Sequence, residues 1–161
     1  VLSGQLGDSM LHTLSGQLGD RSPALIGIHC ILELYDCPAK LLDDASLVQQ
    51  ALREAARRSN STFLGELCHP FEPQGITALA LLGESHISIH TWPEAGYAAV
   101  DVFTCGRHTR PEAACEYLID VFQARRYSLR KVPRRTAQPT LLEEAPDSAE
   151  VLTCEATRRR R

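Results

Sequence analysis

The sequence lacks the features that mark several specialised classes of protein. None of its apolar runs approaches the roughly 18 residues that a membrane-spanning helix needs, and its first residues do not show the basic-then-apolar order of a signal peptide. Charge is nearly balanced, with a formal net charge of −3, so the composition does not indicate a nucleic acid as partner. These absences favour a globular protein of the cytoplasm with no membrane or nucleic-acid partner.

Cysteine is present but is not spaced for metal binding or redox chemistry. The chain has 6 cysteines and no CxxC pair, which argues against a zinc site or a redox dithiol. His86 and His90 are four residues apart in a predicted strand, and at roughly 3.3 Å per residue they are too far apart to share one metal ion. We therefore expect reduced, mostly buried thiols and no metal cofactor.

Local composition predicts one folded domain between two tails. A chain of 161 residues has the length of a single domain with a substantial core. The N-terminal residues 1–24 are expected to form a flexible tail, and the folded domain is expected over residues 25–132. From Pro133 the chain is polar and ends in a run of arginines, so residues 133–161 are expected to form a disordered basic tail.

Hydrophobic periodicity predicts two helices and six strands within this domain. Apolar residues recur at helical spacing from the capping residues Asp43 and Asp44 to about Ser59, and again over residues 111–124, which begin with Pro111. The predicted strands cover residues 25–35, 61–68, 76–82, 86–91, 97–103 and 126–132. Because most neighbouring strands are joined directly, this order predicts an α+β fold: a two-layer sandwich of one mainly antiparallel β-sheet with helices packed on one face.

The segment LLGESHISIHTWPE, residues 81–94, places polar side chains where a buried strand leaves its core. A period of two puts Ser85, Ile87 and Ile89 on one side of the strand. The polar residues of the other side are His86, Ser88 and His90. A half-exposed strand with a polar outer face is the ordinary interpretation of such a pattern.

Motifs of other common enzymes are missing from the sequence. It contains no GxSxG nucleophile elbow and no GxxxxGK phosphate loop. Spacing alone leaves open a triad of Ser85, His90 and Asp101, although nothing in the local sequence supports it.

The stretch GESHISIHTWPEAGYAAVDVFTCG, residues 83–106, resembles the prokaryotic S-adenosylmethionine decarboxylase proenzyme family, whose members depend on a pyruvoyl group. The similarity extends back through HPFEPQGIT (69–77) and GIHCILELYDC (27–37). It implies conversion of S-adenosylmethionine to S-adenosylmethioninamine for spermidine synthesis, in a homodimer of cleaved protomers. A pyruvoyl-dependent L-arginine or L-ornithine decarboxylase of the same family, and a non-catalytic regulatory subunit, remain open alternatives.

The resemblance also implies that the chain cuts itself between Glu84 and Ser85. The Ser85 hydroxyl attacks the Glu84 carbonyl to form an ester, and elimination of that ester converts Ser85 into the pyruvoyl group, which binds the substrate amine as a Schiff base. His90 is implied as the proton acceptor in processing, a role that suits a neutral imidazole. Cys105 is implied as the proton donor in decarboxylation, which requires a neutral thiol.

Three further residues match positions with roles in the family. Thr77 stands where the family usually has a serine that assists processing, and it keeps the hydroxyl. Phe71 matches an aromatic residue that stacks on the adenine ring, for which a flat apolar face is suitable. Glu94 matches a glutamate that binds the ribose hydroxyls, since a carboxylate can accept hydrogen bonds from both.

Overall fold

The computed structural model describes residues 24–136 and 150–155, which form one sheet with helices against it. The strands are β1 Leu25–Tyr35, β2 Phe63–Pro70, β3 Ile76–Leu82, β4 Ser85–Trp92, β5 Tyr97–Cys105, β6 Arg126–Arg135 and β7 Glu150–Glu155. The helices are α1 Ala39–Leu42, α2 Ala45–Arg58 and α3 Pro111–Val121, and a 3-10 turn at Pro93–Ala95 follows β4. The strand order is β2-β3-β4-β5-β1-β6-β7, and every neighbouring pair is antiparallel.

Helices α2 and α3 cover one face of this sheet. The Asp44 carboxylate accepts a hydrogen bond from the Leu47 N–H at 2.9 Å and so caps the first turn of α2. The buried stripe of α2 consists of Val48, Ala51, Leu52, Ala55 and Ala56. α2 contacts β2, β3 and β4, whereas α3, which begins with Pro111, contacts β1, β5 and α2. The hydrophobic core therefore lies between the two helices and one side of the sheet.

The opposite side of the sheet, called the open face below, carries the alternate residues of each strand. Along β4, Ile87 and Ile89 are fully buried on the helix side, as the period-two pattern predicts. His86, Ser88 and His90 alternate with them and are only partly buried. The polar side chains of β4 therefore lie outside the core.

The predicted fold class is confirmed, because the structure is an α+β sandwich of one antiparallel sheet with helices on one face. The prediction of a disordered tail over residues 133–161 is wrong in part. β6 continues to Arg135, and β7 pairs with β6 at the edge of the sheet. The charged composition of this segment favoured disorder, because the C-terminal part of β6 is rich in arginine. Strands near a sheet edge tolerate such charge. Most residues of the two predicted tails lie outside the described residues.

Two details of the helices also differ from the sequence prediction. Helix α1, Ala39–Leu42, has only 4 residues and is too short to show a periodic pattern. Helix α3 ends at Val121, before the predicted end at residue 124. Within the part of the chain that the structure describes, none of the helices has the length and apolar character needed to cross a membrane.

Candidate active site

The predicted cleavage bond between Glu84 and Ser85 lies at the start of β4, beside the end of β5. The carbonyl oxygen of Glu84 accepts a hydrogen bond from the Cys105 N–H at 3.0 Å. Ser85 pairs with Thr104 in the β4–β5 ladder, which places Cys105 next to the bond. The structure therefore brings Glu84, Ser85 and Cys105 together, and these three residues are called the cleavage cluster below.

The side chain of Glu84 is anchored from two directions. Its carboxylate accepts hydrogen bonds from the Thr62 N–H at 2.8 Å and the Thr62 hydroxyl at 3.1 Å, and it lies 3.3 Å from the His108 Nε2 atom. Burial by itself raises the pKa of Glu84, but the hydrogen bonds from Thr62 and His108 outweigh it and hold the pKa below the ordinary value of 4.5. The ionised carboxylate thus stabilises the fold at neutral pH, and this contribution is lost as the pH falls through the lowered pKa.

A second group of predicted site residues lies on and around strands β3 and β4. Thr77 and His90 are directly opposite each other in the ladder, and the Thr77 hydroxyl is 2.8 Å from the His90 Nδ1 atom. Phe71 and Glu94 line the same cavity, which has a volume of about 320 Å³. These four residues, Phe71, Thr77, His90 and Glu94, are called the pocket cluster below.

The cavity has the composition of a small-molecule site. Besides the pocket cluster it is lined by aromatic Trp92 and by Gln74, whose side-chain amide donates to the Glu94 carboxylate at 3.2 Å. The Phe71 ring meets the His69 ring edge-on, with 4.8 Å between the ring centroids. Ligand pockets combine flat apolar groups with a few oriented polar groups in this way.

The cleavage cluster and the pocket cluster are far apart within one chain. His90 follows Ser85 by five residues on the extended strand β4, a separation of roughly 16 Å along the strand. One chain therefore does not bring the predicted proton acceptor to the predicted nucleophile. The open alternative of a triad is wrong, because Asp101 is bonded to His29 at 2.8 Å instead of to His90.

Comparison with known proteins gives the family. The family model described as S-adenosylmethionine decarboxylase matches residues 28–135 of this chain, which include both clusters. The chain belongs to the S-adenosylmethionine decarboxylase family. This confirms the resemblance carried by residues 83–106.

Individual members of the S-adenosylmethionine decarboxylase family are similar to this chain over most of their own length. The S-adenosylmethionine decarboxylase proenzyme of Synechococcus sp. (strain WH7803) is 55% identical over 76% of this chain and 97% of its own length. The proenzyme of the same name from Parasynechococcus marenigrum (strain WH8102) is 58% identical over 70% of this chain and 88% of its own. The crystal structure of the adenosylmethionine decarboxylase from Aquifex aeolicus VF5 superposes with a TM-score of 0.66 and 33% identity, covering 74% of this chain and 98% of that one.

The structure adds residues that family resemblance and local sequence did not identify. His86 Nδ1 lies 3.1 Å from the Ser85 Oγ atom, although the period-two pattern predicts that the two side chains lie on opposite sides of the strand. Thr62 and His108 are both more than twenty residues from Glu84 in sequence, so no local signal could connect them to it. Within residues 24–136 and 150–155, no group of three or more His, Cys, Asp or Glu side chains is arranged to hold a metal ion.

Proposed function

We propose that this protein is a self-processing, pyruvoyl-dependent decarboxylase that converts S-adenosylmethionine to S-adenosylmethioninamine, the aminopropyl donor for spermidine synthesis. The observation that carries the proposal is the hydrogen bond from the Cys105 N–H to the Glu84 carbonyl oxygen at 3.0 Å, beside the hydroxyl of Ser85 in a chain of this family. A serine next to a polarised peptide carbonyl is what formation of a pyruvoyl group requires, so the residues present fit the group.

Self-cleavage uses the cleavage cluster. The Ser85 hydroxyl oxygen attacks the Glu84 carbonyl carbon, and the Cys105 N–H stabilises the negative charge that develops on the oxygen. The bond to the Ser85 nitrogen breaks, which leaves an ester. Loss of the Ser85 α-proton then expels the Glu84 carboxylate, and hydrolysis of the remaining dehydroalanine releases ammonia and leaves the pyruvoyl group. His90 accepts a proton in this sequence, and the Thr77 hydroxyl fixes the orientation of its ring.

The pocket cluster and Cys105 act on the substrate. Once formed, the pyruvoyl group supplies a carbonyl that binds the substrate amine and takes up electrons as carbon dioxide leaves. Phe71 stacks on the adenine ring, and Glu94, held by Gln74, accepts hydrogen bonds from the ribose hydroxyls. Cys105 donates a proton to the carbon that has lost its carboxyl group.

A complete site needs two copies of the chain. The two clusters are roughly 16 Å apart along β4, so a homodimer joins the cleavage cluster of one protomer to the pocket cluster of its partner. If two open faces pack about a two-fold axis, the cleavage cluster of each protomer meets the pocket cluster of the other, and the dimer has two equivalent sites. This face also carries apolar side chains that a partner would cover, namely Leu67, Leu79, Leu81, Trp92 and Phe103.

A reducing compartment suits this chemistry, and we place the enzyme in the cytoplasm. Cys105 must remain a thiol to donate a proton, and it would lose that ability in a disulfide. Cys30, Cys37, Cys68, Cys105 and Cys115 are all free thiols in the structure. Free thiols of this number are characteristic of proteins kept reduced inside cells.

The test of the proposed function combines mass and activity. The intact mass of the denatured protein is expected to show two chains, residues 1–84 and 85–161, with a pyruvoyl group at the start of the second. The cleaved protein is expected to release carbon dioxide from S-adenosylmethionine in preference to L-arginine and L-ornithine when the three compete. Release from either amino acid would establish the corresponding alternative, and a single uncut chain after incubation at neutral pH would favour the regulatory subunit.

The anchors of Glu84 are expected to affect the rate of self-cleavage. Thr62→Val and His108→Ala each remove a hydrogen bond that fixes the residue whose carbonyl is attacked, and each should slow cleavage roughly fivefold, because one such bond contributes about 1 kcal/mol. The measurement is the time course of cleavage by intact mass. Arg107→Ala alters the exposed neighbour of His108 and is the matched control, and equal rates for all of these proteins would contradict the prediction.

A further inference from the structure

Self-cleavage moves two different protons of Ser85. The hydroxyl proton leaves when the Glu84–Ser85 amide becomes an ester, and the α-proton leaves when the ester is eliminated. A proton acceptor for the first step must lie within about 2.6–3.2 Å of the Ser85 oxygen. The identity of that group is a separate question from the identity of the group that removes the α-proton.

His86 has the required geometry within the same chain. Its Nδ1 atom is 3.1 Å from the Ser85 Oγ atom. The ring packs edge-on against Phe103, with centroids 6.2 Å apart and an interplanar angle of 78°, which restricts its rotation. A neutral imidazole with its proton on Nε2 presents a lone pair at Nδ1 to the Ser85 hydroxyl.

Within the described residues, the other titratable groups nearby are not hydrogen-bonded to the Ser85 hydroxyl. The Glu84 carboxylate is held by Thr62 and His108. Cys105 contributes its backbone N–H to the Glu84 carbonyl, and in the part of the chain that the structure describes its thiol makes no hydrogen bond to the Ser85 hydroxyl. His90 has its Nδ1 atom bonded to the Thr77 hydroxyl and lies at the other end of β4. His86 is therefore the group best placed to receive the hydroxyl proton.

We infer that His86 is a catalytic residue of self-cleavage and accepts the Ser85 hydroxyl proton in the first step. This inference rests on the proposed function. The proton moves from Ser85 Oγ to His86 Nδ1 as Oγ bonds to the Glu84 carbonyl carbon. When the bond from that carbon to the Ser85 nitrogen breaks, the imidazolium returns the proton to the nitrogen, so the ester and a free amine form with no net gain or loss of protons.

Two histidines would then act as proton acceptors, one in each step of self-cleavage. His86 serves the first step in its own chain, and His90 of the partner protomer remains available for the α-proton in the second step. Loss of His86 should therefore leave the amide intact, whereas loss of His90 should leave the ester. Hydroxylamine distinguishes the two, because it cleaves an ester and leaves an amide untouched.

The experiment compares His86→Asn, His86→Ala and His90→Ala with the unaltered protein. Asparagine can accept a hydrogen bond near the position of Nδ1 but is not a base. The His86→Asn variant therefore keeps a group that can position the Ser85 hydroxyl and removes the group that can take its proton. Both His86 variants should lose the amide roughly 100-fold more slowly than the unaltered protein and give no hydroxylamine-sensitive chain. Imidazole added to His86→Ala should restore part of the cleavage rate. Because only a folded variant can be rescued in this way, the rescue also shows that the variant folds. Gln50→Ala, at an exposed residue of helix α2 on the other side of the sheet, is the control.

Each result decides the inference. Cleavage of His86→Asn at the unaltered rate would overturn it, because a hydrogen-bond acceptor would then suffice. Accumulation of a hydroxylamine-sensitive chain in either His86 variant would also overturn it, since His86 would then act after ester formation. If the unaltered protein itself failed to cleave, the proposed function would fail instead, which separates the two failures.

Discussion

Two inactive variants are expected to form an active site when they are paired. Ser85→Ala lacks the nucleophile and His90→Ala lacks the acceptor of the α-proton, so neither homodimer should separate into two chains or release carbon dioxide. In a heterodimer with the proposed shared site, the Ser85 of the His90→Ala chain is expected to meet the His90 of the Ser85→Ala chain. One of the two sites is then complete, and about half of the normal activity is expected.

The heterodimer can be isolated by giving the two chains different affinity tags and purifying through both. Intact mass should show that only the His90→Ala chain is cut, because it alone carries Ser85. Ser88→Ala, on the same strand and the open face, should cleave normally and serves as the control. A purified heterodimer in which both chains stay whole would contradict the shared site, and cleavage of His90→Ala alone would remove His90 from the processing reaction.

Cys105→Ala is expected to separate self-cleavage from decarboxylation. The substitution removes the thiol but keeps the backbone N–H that bonds to the Glu84 carbonyl oxygen at 3.0 Å. Cleavage should therefore continue. Decarboxylation of S-adenosylmethionine should fall by about 10²- to 10⁴-fold, the usual contribution of a general acid.

The two effects are measured on one preparation, by intact mass for cleavage and by release of carbon dioxide for catalysis. Cys68→Ala removes a free thiol on the edge strand β2 and should leave both unchanged. Normal decarboxylation by cleaved Cys105→Ala would show that another group protonates the product. Loss of cleavage would show that the thiol itself takes part in processing.

The sequence predicts the framework of the fold because its periodicities are strong. Ile87 and Ile89 alternate with polar residues, and the stripe of α2 from Val48 to Ala56 repeats at helical spacing. β7 could not be predicted in this way, because its pairing with β6 depends on contacts across the sheet edge and not on its own composition.

The candidate site was predictable as a set of residues but not as an arrangement. The motif identifies Ser85 and His90 as candidate residues without indicating whether one chain or two chains supply them. The rise of roughly 3.3 Å per residue along a strand keeps His86 and His90 too far apart to share a metal ion. The same spacing separates Ser85 from His90 within one chain. The contact between Ser85 and His86 is not predictable from the strand pattern, because side chains of adjacent strand residues ordinarily point in opposite directions.

The strand order β2-β3-β4-β5-β1-β6-β7 has a consequence for the two pieces that the proposed cut between Glu84 and Ser85 would produce. Strands β1, β2 and β3 belong to residues 1–84, and β4 to β7 belong to residues 85–161. β1 lies between β5 and β6, so a strand of the first piece is enclosed by two strands of the second. The pieces therefore interlock and cannot part without opening the middle of the sheet. Before the cut, folding involves a single chain and does not depend on protein concentration. If the cleaved protein unfolded, its two pieces would have to associate again in order to refold, so refolding would depend on their concentration.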